Sequence, residues 1–319
     1  MEFKPLIQCE YGPLAGKVDL EPDFFTGFVP ERRAEIVAEE AKFYHSITAS
    51  YSVDDRLNKW YETFTSFDGA EISIKIYQPR QERKDRPALV FIHGGGFKTC
   101  SVETHDFVPS YVAANADVVA FSVEYRLAPE HKFPVGLKDC YEAVRWVKAQ
   151  AQRLGVDPAK VSIGGDSSGG SFSASITLMA RRDGEPIDKQ VLIYPATDLS
   201  NIVPKKSAEV YTMVGSTDDD DGAPKESLLD TYLPDLALVR DELVSPMIAG
   251  DLSGLPKALF IQAECDALLD DGLIYAQRLK DAGVEVEAHV YRGMPHAFIL
   301  RTYEETFEAL DTICAFLKA

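Results

Sequence analysis

The chain contains no apolar run approaching the roughly 20 residues needed to span a bilayer, so no membrane-crossing helix is expected. Its N-terminal MEFKPLIQCEYG has no basic region followed by an apolar stretch, which leads to the expectation of a soluble, cytoplasmic protein. Positive charge is scarce: 33 Lys and Arg stand against 51 Asp and Glu, a formal net charge of −18. Such a surface repels polyanions and anionic membranes, so nucleic acid is not an expected partner and neutral or apolar small molecules are. Cysteines number five, Cys9, Cys100, Cys140, Cys265 and Cys314, an odd count at scattered spacings that fits reduced thiols and not a disulfide framework. With no CxxC pair and no Cys/His ligand spacing, zinc is not expected. The acidic run Asp218 to Asp221 lacks the spaced ligands and glycine of a calcium loop and reads as a solvated loop. Internal repeats and low-complexity linkers are also missing.

What the chain does have is 319 residues at 45% hydrophobic content, enough for a large buried core. Pro30 followed by ERRAEIVAEEAKFYH reads as an amphipathic helix with Ile36, Val37 and Tyr44 near one face, preceded by Phe24, Phe25 and Phe28. WYETFTSF, the turn Asp68-Gly69 and EISIKIYQP read as a β-hairpin. Buried strands follow at ALVFI (88–92), VVAFSVEY (118–125), KVSIGG (160–165), QVLIYP (190–195), KALFIQAE (257–264) and EVEAHVY (285–291). Helical stretches at 137–154, 171–182, 270–282 and from about 303 alternate with them. That alternation predicts an α/β fold with a mostly parallel sheet covered by helices on both faces. Residues 200–243 break the rhythm and are too long for an ordinary connection. The expected organisation is an N-terminal cap segment (1–50), a first core part (51–199), a cap insertion (200–243) and a second core part (244–319), the two cap pieces forming a helical lid.

Two motifs carry chemistry. Strand KVSIG runs into GDSSGG, where Gly165, Ser167 and Gly169 match the GxSxG turn that lifts a nucleophilic serine between a strand and a helix. Strand ALVFI ends in HGGGF, whose glycines let backbone approach a substrate closely. The amides of Gly94 and Gly95, with that of Ser168, are the expected oxyanion hole, the donors that meet the charge developing on an ester carbonyl oxygen. His93 is expected to brace the glycine loop and not to shuttle protons.

These residues, with YRLAPEHKFPVGLKDCYEAVRW (125–146) and LVSPMIAGDLSGLPKALFIQAECDALLDDG (243–272), resemble the hormone-sensitive-lipase-like branch of the α/β-hydrolases over roughly residues 60–319. The resemblance implies an α/β-hydrolase fold, and an acid and a histidine at the positions of Asp266 in CDALLDDG and His296 in MPHAFI; the serine chemistry itself requires no metal or organic cofactor. Chain order leads to the same pair, because in this fold the acid and then the histidine follow the serine on loops after late strands. His45, His105 and His131 precede the serine, and His289 lies within a strand. Glu264, Asp270 and Asp271 compete with Asp266 for the acid's role, and loop placement and the family position favour Asp266. Departures from the family pattern are Ser168 for Ala, Ala267 for Pro, Leu269 for a frequent charged residue, and Ala297 for Gly. Arg126 and Glu130 in YRLAPE read as a structural ion pair.

The expected function is hydrolysis of small, short-acyl carboxylic esters: Ser167 as nucleophile, His296 as general base and Asp266 as its orienting acid, through an acyl-enzyme. The alternatives are acyl transfer to another acceptor in a biosynthetic route, and a non-catalytic receptor on the same fold, which the presence of His296 disfavours. Strand 285–291 is a candidate sheet edge at which two copies could pair as a homodimer.

Overall fold

The computed structural model describes residues 51–211 and 228–319, together with residues 5–7, 9, 33–35, 37, 38 and 41. Phe24, Phe25, Phe28, Ile36, Tyr44 and the acidic run Asp218 to Asp221 lie outside the described residues. In chain order the main elements are β1 (Leu57–Thr65), β2 (Glu71–Pro79), β3 (Arg86–Ile92), α1 (Phe107–Ala116), β4 (Val119–Val123), α2 (Val135–Ala149) and β5 (Val156–Asp166). There follow α3 (Ser168–Asp183), β6 (Lys189–Ile193), α4 (Lys206–Val210), α5 (Leu228–Tyr232), β7 (Lys257–Cys265), α6 (Leu269–Asp281), β8 (Val286–Pro295) and α7 (Glu304–Lys318).

The strands form one sheet in the order β1-β2-β4-β3-β5-β6-β7-β8. β2 pairs antiparallel with β1 and with β4, and all pairings from β4 onward are parallel. The alternation of side chains along a strand explains how β3 holds the layers together. Val90 and Ile92 pack on one face with Leu137, Tyr141 and Val144 of α2 and Phe172 and Ile176 of α3. Leu89 and Phe91 point the other way, into a cluster with Phe107 and Tyr111 of α1 and Leu310 and Ile313 of α7. A third cluster packs Ile274, Tyr275 and Leu279 of α6 against Leu192 and Phe260. Helices therefore cover both faces, as the continuous apolar strands require.

Boundaries differ where tertiary contacts extend the local signal. β5 runs to Asp166, one residue short of Ser167, and α3 begins at Ser168 instead of residue 171. β8 runs on to Pro295, so His296 leaves the very end of a strand. The helix expected over 137–154 is divided at Gln150, whose φ of −95° and ψ of 5° interrupt it before a short turn at Ala151–Leu154. Within 200–243, the described helices are α4, α5 and a 3₁₀ segment at Leu236–Arg240. No helix among the described residues is long and apolar enough to cross a membrane.

Candidate active site

Ser167 sits between β5 and α3 with φ 52° and ψ −120°, a conformation that L-residues rarely adopt. Its N–H donates to Ile193 O at 2.9 Å, which fixes the turn against β6. The flanking glycines are sterically required. A Cβ at Gly165 would lie 2.3 Å from Ile92 O, and one at Gly169 would lie 2.0 Å from the same oxygen. The turn is thus pressed against the end of β3, which is also where HGGGF begins.

His296 Nε2 lies 3.0 Å from Ser167 Oγ, and His296 Nδ1 lies 2.6 Å from Asp266 Oδ2. Asp266, at 1% exposure, also accepts the Leu268 N–H on Oδ1 at 2.9 Å, so both carboxylate oxygens are held. Burial favours the neutral imidazole of His296, but the Asp266 carboxylate and then that of Asp166 outweigh it and raise its pKa, with Arg301 opposing. The Tyr194 ring packs 4.7 Å from the His296 ring and limits its swing. Ala297, standing where the family has Gly, takes a left-handed conformation (φ 61°, ψ 19°). Glycine would adopt it without strain, and for Ala it costs on the order of 1 kcal/mol. The histidine is presented all the same.

The competing acids are engaged elsewhere. Glu264 accepts the Gly293 N–H, Asp270 accepts the Ser207 N–H, and Asp271 accepts the amides of Thr197 and Asp198. Of the other histidines, His289 pairs with Glu287 and His105 lies buried against Asp166. His93 donates from Nδ1 to Gly94 O at 2.7 Å and stacks on Tyr125 with 4.4 Å between ring centroids. Burial drives the His93 pKa down to about 3, so the ring stays neutral and acts as a brace.

One expected donor is not available. The Gly94 N–H donates to Asp166 Oδ1 at 2.9 Å, which corrects its assignment to the oxyanion hole. The amides of Gly95 and Gly96, by contrast, meet no acceptor among the described residues. The Ser168 N–H lies in the first turn of α3, where a helix leaves its amides without an internal acceptor. The amides of Gly95, Gly96 and Ser168 are therefore the candidate donors of the hole. A sequence signal for Asp166 existed, since it stands inside GDSSGG, but nothing local tells which amide its side chain takes.

The expected Arg126–Glu130 pair is also corrected. Arg126 binds Asp139 and Asp68, whereas Glu130 receives a two-pronged contact from Arg33 at 2.7 and 2.6 Å. Arg33 also donates to Lys98 O and Ala128 O, linking the N-terminal segment to the loop that follows HGGGF. No disulfide joins any of the five cysteines, and no cluster of potential metal ligands occurs among the described residues.

Comparison with known proteins identifies the family. Residues 89–300 match the model of an alpha/beta hydrolase fold family. The chain is 36% identical over 243 residues to Carboxylesterase NlhH of Mycobacterium tuberculosis (strain CDC 1551 / Oshkosh), covering 75% of each chain. It is 35% identical to Ethyl acetate hydrolase of Pseudomonas putida over 74% of each. Among solved structures, a Pyrobaculum calidifontis esterase superimposes with a TM-score of 0.81 at 36% identity, covering 89% of this chain and 92% of that one. The chain belongs to the hormone-sensitive-lipase-like family of the α/β-hydrolases.

Proposed function

We propose that this protein is a serine carboxylesterase that hydrolyses small, short-acyl esters through an acyl-enzyme. The observation that carries the reading is the continuous line of contacts from Asp266 through His296 to the Ser167 hydroxyl. A serine hydroxyl is a weak nucleophile, so His296 Nε2 takes its proton as Oγ attacks the carbonyl carbon. Asp266 holds the Nδ1–H tautomer and stabilises the imidazolium that forms. The carbonyl oxygen, now negative, is met by the amides of Gly95, Gly96 and Ser168. His296 then returns its proton to the departing alcohol. Water, deprotonated by the same nitrogen, releases the acid.

Beside the glycine loop the core is aromatic. Phe97 stacks on Tyr232 of α5 with 3.9 Å between centroids, and Phe133 and Phe172 close around that ring. Preference for short acyl groups is supported by one relative's being named an ethyl acetate hydrolase.

A series of p-nitrophenyl esters of increasing acyl length tests the reading, with wild type against Ser167→Ala. Turnover by wild type that peaks at short chains and vanishes in the variant is expected. Wild type without turnover, or a variant that retains it, removes the proposal.

A further inference from the structure

The residues on either side of Ser167 both reach back to the glycine loop, and the acyl-transfer steps call on neither side chain. Asp166 Oδ1 accepts the N–H of Gly94 at 2.9 Å, and Ser168 Oγ accepts the N–H of Phe97 at 3.3 Å. Gly95 and Gly96 lie between those two attachment points. Three consecutive glycines give this loop more backbone freedom than any other residues would, and a hole works only if its donors are already aimed. Two cross-links, one at each end, remove that freedom.

Asp166 is itself supported. Its Oδ2 lies 3.2 Å from His105 Nε2, and His105 Nδ1 lies 2.9 Å from Thr104 Oγ1. Asp166 and His105 are both fully enclosed. An unpartnered buried carboxylate would be costly, so contacts on both oxygens are what make its presence tolerable. The fit around Gly94 is close: a Cβ there would lie 2.5 Å from Asp166 Oδ2. Ser168 stands where the family pattern has Ala, so its hydroxyl contact is additional to the backbone N–H that either residue supplies.

We propose that Asp166 and Ser168 are positioning residues that pin the two ends of the glycine loop to the nucleophile turn, aiming the Gly95 and Gly96 amides at the substrate carbonyl oxygen, with His105 orienting the Asp166 carboxylate. This inference rests on the esterase reading above. It predicts that the contacts matter for turnover more than for binding, because the hole engages fully only when the oxygen carries charge.

The test measures kcat and KM on p-nitrophenyl acetate for wild type, Asp166→Ala, Asp166→Asn and Ser168→Ala, each normalised by titrating Ser167 with a chromogenic phosphonate. Asp166→Ala is expected to lose kcat by on the order of 10²-fold, the scale of a lost oxyanion donor, with KM changed by less than about threefold. Asp166→Asn keeps an acceptor oxygen for the Gly94 N–H and is expected to stay within about tenfold of wild type. Ser168→Ala is expected to lose about threefold in kcat, the effect of one long hydrogen bond. A purely structural role would reduce the yield of titratable sites and leave the kcat of each site unchanged. The proposal is overturned by a normalised Asp166→Ala kcat within about twofold of wild type, or by equal losses in the Ala and Asn variants. Should Asp166→Ala not fold, an unchanged kcat in Ser168→Ala together with an unchanged kcat in Asp166→Asn overturns it. Wild type that is neither labelled nor active removes the esterase reading and this inference with it; a labelled wild type and fully active variants remove only this inference.

Discussion

His296 Nδ1 lies 2.6 Å from Asp266 Oδ2, joining two loops that leave the ends of the adjacent parallel strands β7 and β8. The contact orients the ring, because a carboxylate accepts only, and the nitrogen facing it must then carry hydrogen. Asp266→Asn is nearly isosteric but can present an N–H to Nδ1 and so favour the wrong tautomer. We expect kcat on p-nitrophenyl acetate to fall by about 10⁴-fold with little change in melting temperature. A loss smaller than about tenfold would deny Asp266 this role.

The pH dependence follows from the same neighbourhood. Burial works to lower the His296 pKa, but Asp266 and Asp166 raise it above its ordinary 6.5, with Arg301 opposing. Attack needs the unprotonated ring, so activity is lost as pH falls through that raised pKa. The acid limb of kcat/KM is therefore expected to have its midpoint above 6.5. Asp166→Asn removes one of the negative charges responsible and should move the midpoint downward. A wild-type midpoint below 6.5 in a pH–rate profile would contradict this assignment of charges.

Gly169 supplies a test of how tightly the nucleophile turn is packed. An added Cβ would lie 2.0 Å from Ile92 O and 2.7 Å from His93 O, both backbone atoms at the end of β3. β3 cannot retreat, because Phe91 and Ile92 are in register with Gly164 and Gly165 of β5. Gly169→Ala is expected to cost about 3 kcal/mol or more in urea unfolding, or to leave no soluble protein. Gly250→Ala, where a Cβ meets nothing within 4 Å, serves as the control and should stay within about 0.5 kcal/mol of wild type.

Much of the architecture was legible because it is written in short-range patterns. The alternation of apolar strands and amphipathic helices marked a covered parallel sheet, and each strand that was expected has its counterpart within a few residues. The two motifs stood at strand ends, where β3 and β5 do release HGGGF and GDSSGG side by side. His296 was identifiable by elimination among six histidines and by its place after a late strand. Helix 137–154 was read as continuous because its composition is helical throughout; the break at Gln150 has no residue of low helix propensity to announce it.

Sequence alone determined the local conformations and the kinds of group that reach the carboxyl edge of the sheet, since hydrophobic period, glycine placement and chain order act over a few residues. Only tertiary structure decided which groups meet there. Gly94 was chosen as a donor by its motif, yet its amide is taken by Asp166, 72 residues later. Arg126 and Glu130 are neighbours in sequence, but Arg126 binds Asp68 and Asp139 while Glu130 binds Arg33. The physical reason is that a hydrogen-bond partner is set by strand register and loop path, which bring distant residues within 3 Å, whereas the pattern of residues along the chain reports mainly which face of an element is buried.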